Sequence, residues 1–213
     1  MNIKIVSVRE ADGGGAVLLG VEICSGEGKS ERRELMLTAA QYREHRPHRG
    51  DELSPEEFDE LEVLSETAQA ARRGAGILSY GANSRSTLRR KLISKGFSHE
   101  ASDAAVEMLD DAGLIDEKNA ARREAERCAA QCRGRKYINA RLFSLGYRGE
   151  ALSEAEEYLD GVDFAELCAR VIERRYGGSL PAEPSERDRA VAALMRRGFS
   201  SADIRAAVRK NNG

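Results

Sequence analysis

The chain has 213 residues, with 34 Lys+Arg, 36 Asp+Glu and 3 His and a net charge of −2. That is length enough for one or two domains with a sizeable core, and too little net charge for a simple nucleic-acid coat. No run of about 18 apolar residues is present to cross a bilayer, and Met1-Asn2-Ile3-Lys4-Ile5-Val6 reaches Arg9-Glu10 without a signal-peptide core, so a cytoplasmic protein is expected.

At the N-terminus, residues 2–9 alternate as a strand, Ala16 to Ile23 is a second apolar run after an Asp12-Gly13-Gly14-Gly15 turn, and Glu34 to Thr38 is a third after Ser25-Gly26-Glu27-Gly28-Lys29. A small antiparallel meander follows, with so few core positions that it must lean on the helices behind it. The glycines do not make a phosphate loop, because Gly28-Lys29-Ser30 lacks the preceding Gly at the required spacing. His45-Arg46-Pro47-His48 reads as a loop, since two histidines without a third ligand do not hold a metal. Ser54-Pro55-Glu56-Glu57 is a helix start: Ser54 as N-cap, Pro55 at the first helical position and Glu57 closing a capping box. Leu61, Leu64, Ala68 and Ala71 trace its buried face, and Gly74 and Gly76 are expected to weaken or bend the helix before Ile77-Leu78.

From Ser84 a pattern recurs three times: Leu92-Ile93-Ser94-Lys95-Gly96-Phe97, Leu142-Phe143-Ser144-Leu145-Gly146-Tyr147 and Leu194-Met195-Arg196-Arg197-Gly198-Phe199. Each copy reads as a helix that stops at a glycine, where positive φ carries no Cβ penalty, followed by an aromatic that folds back on the last turn. Ser84 or Ser86 caps the helix ending at Lys95, with Leu88 and Leu92 facing inward. Ala101, Ala105, Met108 and Leu109 mark the next helix. Asp116 caps one carrying Ala121, Ala125, Cys128 and Ala129. The second unit continues through Ile138 and Leu142, then a helix ending near Gly161. The third opens at Asp163-Phe164, reopens at Ser185 after Pro181 and Pro184, and closes with a helix from Ser201 to about Lys210. Fixed-period self-similarity of this size indicates stacked units, none able to bury its face alone. The reading is a mainly α protein of three tandem three-helix repeats behind a small β meander: residues 1–53 the meander and linker, 54–114 repeat 1, 115–161 repeat 2 and 162–213 repeat 3.

Charge is unevenly placed along this plan. Residues 1–67 hold 8 basic against 15 acidic side chains (−7), and residues 68–213 hold 26 against 21 (+5). The basic body either meets a polyanion or acidic protein surface, or only solvates its outer helix faces. Cys24, Cys128, Cys132 and Cys168 contain no Cys-x-x-Cys pair and have no His to complete a zinc set, so reduced thiols and no metal are expected. Cys128 and Cys132, at i and i+4, read as small buried residues. Neither a Ser-His-Asp order nor a carboxylate pair in apolar surroundings is seen, which points away from an enzyme and from a cofactor. Helix–Gly–helix units also resemble a helix-turn-helix, an alternative in which the chain binds DNA directly. Against it, the helix after the stop is acidic in units one and two, with Glu100, Asp103 and Glu107, then Glu150, Glu154, Glu156 and Glu157.

Ser84-x-x-Thr87-Leu88-x-x-Lys91-Leu92-x-x-Lys95-Gly96-Phe97, Gly113-Leu114-Ile115-Asp116-Glu117 and Arg196-Arg197-Gly198-Phe199-Ser200 together resemble the RecX regulators of the recombinase RecA over about residues 60–210. The resemblance implies a curved array of three-helix repeats. It also implies a non-enzymatic modulator that lies in the groove of the RecA filament on single-stranded DNA and restrains its ATPase and strand exchange; a monomer is expected. Two positions depart from the pattern, Asn119-Ala120 where the family often has an aromatic before the Ala, and Ser102 where it has an aliphatic; both imply looser packing around repeats one and two. A filament groove offers acidic protein and phosphate backbone, which scattered cations meet without reading bases. Arg89, Arg90, Lys95, Arg133, Arg135, Lys136 and Arg141 are the candidate partner- and phosphate-binding residues, each weighed against simple solvation of a helix face.

Overall fold

A computed structural model describes residues 2–11, 15–25 and 30–211. Three strands, β1 (Asn2–Glu10), β2 (Ala16–Cys24) and β3 (Ser30–Thr38), are followed by α1 (Ala39–His45), a two-residue β4 (Glu52–Leu53) and nine further helices. These are α2 (Pro55–Ser79), α3 (Arg85–Ser94), α4 (His99–Asp111), α5 (Glu117–Ala130), α6 (Arg135–Ser144), α7 (Glu150–Asp160), α8 (Phe164–Tyr176), α9 (Pro184–Arg196) and α10 (Ser201–Asn211). By contact the chain divides into two compact units, residues 1–81 with 88–115, and residues 82–87 with 116–213.

In the first unit the antiparallel sheet runs β3-β2-β1-β4, with Ile3 opposite Ile23, Ile5 opposite Val21 and Leu19 opposite Leu35, and a register shift between Ile5 and Ser7. Alternation sends Ile3, Val17, Leu19, Val21, Leu35 and Leu37 to one face, where Phe58 and Leu61 of α2 cover them. Two polar links fix that cover: the Met36 N–H donates to Ser65 Oγ at 2.8 Å, and Gln41 Nε2 donates to the Leu64 carbonyl at 3.3 Å. The expected turns lie mostly outside the described residues, Asp12–Gly14 and Gly26–Lys29 among them; Gly15 has φ +80°.

Three local features differ from the sequence reading. β3 begins at Ser30, four residues early, because its charged start pairs across the sheet: Arg32 Nε lies 3.1 Å from Glu22 Oε1 on β2, so no apolar run marks it. α1 carries no marked signal in the sequence; it is built by a Thr38/Gln41 capping box and ended by Arg46 at φ +46°, and residues 46–48 form the expected loop behind it. α2 runs unbroken through Gly74 and Gly76; Gly74 is there for close approach, since a Cβ would sit 2.6 Å from Leu109 Cδ1 of α4. The Ser54 capping box stands as expected, with Glu57 N–H to Ser54 Oγ at 3.2 Å and Ser54 N–H to Glu57 Oε2 at 2.8 Å.

The helices form three triplets in which the first and third pack along each other: α2 with α4, α5 with α7, α8 with α10. Small residues allow it. Ala70 and Ala71 share a core with Ala105 in the first triplet, and Ala121, Ala125 and Ala129 share one with Ala151 and Ala155 in the second. Ser102 is fully buried on α4 with its hydroxyl unpartnered. α9 opens at Pro184, one residue before the expected Ser185, with Glu183 as N-cap, its carboxylate taking the Glu186 N–H at 2.7 Å and the Ser185 hydroxyl.

Each middle helix ends in the same two-bond lock. Gly96, Gly146 and Gly198 sit at φ +97°, +87° and +96°. Behind them the Phe97, Tyr147 and Phe199 N–H groups reach back five residues to the carbonyls of Leu92, Leu142 and Leu194 at 3.4, 3.2 and 3.3 Å. The first turn of one middle helix then meets the stop of the next. Ser84 Oγ and Thr87 Oγ1 donate to the Leu145 carbonyl at 2.5 and 2.6 Å, and the Gly134 and Lys136 N–H groups donate to the Arg197 and Gly198 carbonyls at 2.9 and 3.1 Å. Orphan carbonyls at one helix end thus find donors at another helix start. The approach needs glycine, because a Cβ at Gly198 would lie 2.5 Å from Tyr137 Cβ and 2.8 Å from the Gly134 oxygen, and one at Gly146 2.8 Å from Ser84 Oγ. At Gly96 a Cβ would meet nothing within 4 Å.

Candidate partner-binding surface

On α3, Leu88 and Leu92 are fully buried, which by helical spacing turns the basic residues between them outward. Arg89 is engaged with Asp103 of α4 by a two-bond fork, Nη2 to Oδ2 at 2.9 Å, and that hydrogen bond raises the guanidinium pKa and holds the carboxyl below its ordinary value. Arg90 and Lys95 are exposed, and Lys95 stands directly before the open Gly96 stop.

In the second unit Arg133, Arg135 and Lys136 flank Gly134 at the start of α6, so the structure brings these three together beside one inter-repeat lock. Their environments differ. Arg135 Nη2 donates to the Leu159 carbonyl at 2.6 Å and Asp160 Oδ1 at 2.8 Å, and its guanidinium lies 5.4 Å from the Phe164 ring centre. It therefore closes the carbonyl end of α7, where the helix dipole favours a cation. Arg141 Nε lies 3.1 Å from Glu124 Oε1, an oxygen also held by Arg127 at 2.6 Å. Burial pushes the Glu124 carboxyl up, but the two arginines outweigh it and leave the pKa below the usual Glu value. Arg133 is half-buried with its guanidinium 4.5 Å above the Tyr137 ring. Lys136 is exposed; among the described residues neither its ammonium nor that of Lys95 has an ion-pair partner.

Three cations escaped the sequence reading. Arg197, at the stop of α9, donates through Nη2 to the Gln131 carbonyl at 3.2 Å, and Arg174 and Arg175 lie exposed in the last turn of α8. Burial, then the charges of Arg133 and Arg175, lower the Arg197 pKa; Cys132 opposes, and Arg174 adds a further lowering. A signal was present: Arg197 occupies the repeat position of Lys95 and Leu145, and Arg174-Arg175 is a doublet closing a helix. The helices following the stops bind their acidic residues to neighbours, with Lys118 Nζ 2.7 Å from Glu150 and Arg122 3.1 Å from Glu154. Among the described residues no group of His, Cys, Asp and Glu could hold a metal, and no helix is long and apolar enough to cross a membrane.

Three helical triplets, with stop-to-start bonds between middle helices inside the second unit and cations on exposed helix faces, define a helical-repeat protein. Residues 162–208 match the family model described as RecX, third three-helix domain. The chain is 36% identical over 137 residues to the regulatory protein RecX of Xanthomonas axonopodis pv. citri, covering 64% of this chain and 84% of that one. It is 33% identical over 158 residues to the regulatory protein RecX of Xanthomonas campestris pv. campestris, covering 68% and 97%. The fold is shared with a crystal structure of regulatory protein RecX at a TM-score of 0.71 and 20% identity, covering 94% of this chain and 96% of that one. RecX from Lactobacillus salivarius shares it at 0.57 and 20%, covering 69% and 97%. The chain belongs to the RecX family of regulatory proteins.

Proposed function

We propose that the chain regulates the recombinase RecA. In this reading it acts as a cytoplasmic monomer that binds in the groove of the RecA filament on single-stranded DNA and restrains ATP hydrolysis and strand exchange. Membership of a family of regulatory proteins carries the reading, with 36% identity across 84% of a curated relative. The basic body supports it independently, at +5 over residues 68–213. Residues 54–114, 115–161 and 162–213 act as successive docking repeats, with 1–53 as a head. Arg89, Arg90, Lys95, Arg133, Arg135, Lys136 and Arg141 are the proposed contacts, engaging acidic protein and phosphate alike without base readout. Arg89, Arg135 and Arg141 would exchange or share their present carboxylate partners on docking, whereas Lys95 and Lys136 have none among the described residues to give up.

The test is RecA ATP hydrolysis on single-stranded DNA as this protein is titrated in. Turnover should fall, and changing Arg89, Arg90 and Lys95 together to Ala should weaken the fall and reduce its salt dependence, with helical content unchanged. Unaltered hydrolysis at saturating protein contradicts the proposal.

A further inference from the structure

The two inter-repeat locks within the second unit are built alike but flanked differently. In one, the residue before the incoming helix cap is Asn83 and the residue before the glycine stop is Leu145; in the other these positions are Arg133 and Arg197. The backbone bonds of the second lock, Gly134 to Arg197 and Lys136 to Gly198, involve no guanidinium. Arginine is therefore not what the interlock requires, and here it comes at a cost. Arg133 Nε and Arg197 Nε are both buried without a hydrogen-bond partner, an arrangement native proteins avoid unless something else uses the donors. The two charges repel each other, and Arg174 and Arg175 add to the repulsion.

We infer that Arg133 and Arg197, with Arg174 and Arg175 nearby on α8, form a phosphate site that takes a phosphodiester of single-stranded nucleic acid. This rests on the proposed function and deepens it by naming where the strand is held. The pieces are pre-set. Arg133 is fixed by stacking on Tyr137, and Arg197 by its bond to the Gln131 carbonyl. Both residues are only half-buried although each Nε is buried, so part of each side chain still meets solvent. Two planar forks set by one rigid junction suit the several oxygens of a phosphate group better than a single carboxylate, and further cations nearby suit a ligand whose charge repeats. Arg174 and Arg175 have no ion-pair partner among the described residues.

The experiment follows a labelled oligothymidine single strand by fluorescence anisotropy at low salt, without RecA, so that loss of filament regulation and loss of this site are read separately. The variant R133N/R197L gives the second lock the residues of the first, and its melting temperature should equal or exceed wild type once the repulsion and unpaired donors are gone. R205A/R209A removes two exposed charges from α10 as a control. Oligonucleotide affinity should fall about tenfold or more in R133N/R197L and far less in the control, and the slope of log K against log salt should shrink by about 1.4, for two contacts to a single strand. Equal losses in the two variants, or no binding by wild type, overturn the assignment. So does displacement by poly-L-glutamate as effective as by unlabelled oligonucleotide, which would mark an acidic protein surface as the ligand. Inorganic phosphate competing as well as the oligonucleotide, phosphate for phosphate, would assign the site to free phosphate and overturn the claim for a strand.

Discussion

Replacing the three stop glycines by alanine, one at a time, should produce three different costs. At Gly96 the Cβ meets nothing within 4 Å, so Gly96→Ala bears only the strain of φ +97°, about 1–2 kcal/mol for a residue with a Cβ. At Gly198 the same strain is joined by collision with atoms that cannot step aside: Tyr137 Cβ at 2.5 Å, the Tyr137 nitrogen, and the Gly134 oxygen at 2.8 Å. Relief requires the start of α6 to back away, breaking the Gly134 to Arg197 and Lys136 to Gly198 bonds, each worth about 1 kcal/mol net. Gly198→Ala should therefore cost about 3–4 kcal/mol in all. Gly146→Ala falls between them, because its obstacles are side-chain atoms of Ser84 and Ser86, of which Ser84 Oγ is held on the Leu145 carbonyl. Amide hydrogen exchange reads this locally. The Gly134 and Lys136 amides should exchange about 30-fold faster in Gly198→Ala, the equivalent of the two lost bonds, and at the wild-type rate in Gly96→Ala. Equal destabilisation by the two substitutions, or unchanged exchange at Gly134, would refute the interlock.

Other expectations follow from single groups. Ser84→Ala removes a cap on the Thr87 N–H and one of two hydroxyls on the Leu145 carbonyl, and should lower the stability of the second unit by about 1 kcal/mol in thermal melts. Ser102→Ala removes a buried, unpaired hydroxyl and should be neutral or stabilising by up to about 1 kcal/mol; a loss near that of a core truncation would mean the hydroxyl has a partner. The Glu124 carboxyl is held below its ordinary pKa, so its contribution is complete above the unfolded value of about 4.3 and is lost as pH falls through the lower folded value. Carbon-detected titration should place Glu124 below free Glu, and Glu124→Gln should flatten that part of the acid limb. Burial pushes the Cys168 thiol up to about 12, so under mildly alkaline alkylation exposed Cys24 should react at once and Cys168 only after unfolding, as mass spectrometry would show.

What the sequence made legible was local. Gly96, Gly146 and Gly198 could be placed at positive φ, and Ser54 and Asp116 at helix starts, because each motif closes within a few residues. What it hid depends on distance along the chain. Ser84 is 61 positions from the carbonyl it caps, and Arg135 is 24 from Leu159, so no spacing rule separates a cation that ends a helix from one that faces solvent. The start of β3 was hidden for the opposite reason, since strand pairing there relies on exposed charges rather than an apolar run. Arg197 looked like one more basic residue until the fold set it beside Arg133.

The central claim is that the partner is the filament and not bare nucleic acid. Co-sedimentation of this protein with RecA filaments on single-stranded DNA, beside the same DNA without RecA and a duplex of equal length, tests it most directly. Interleaved acidic and basic helices give too little uniform positive field for strong binding to DNA alone, so the filament should retain the protein at salt concentrations that release it from either DNA. Retention by duplex DNA at moderate salt, with none on the filament, would contradict the account and favour a DNA-binding helix-turn-helix reading.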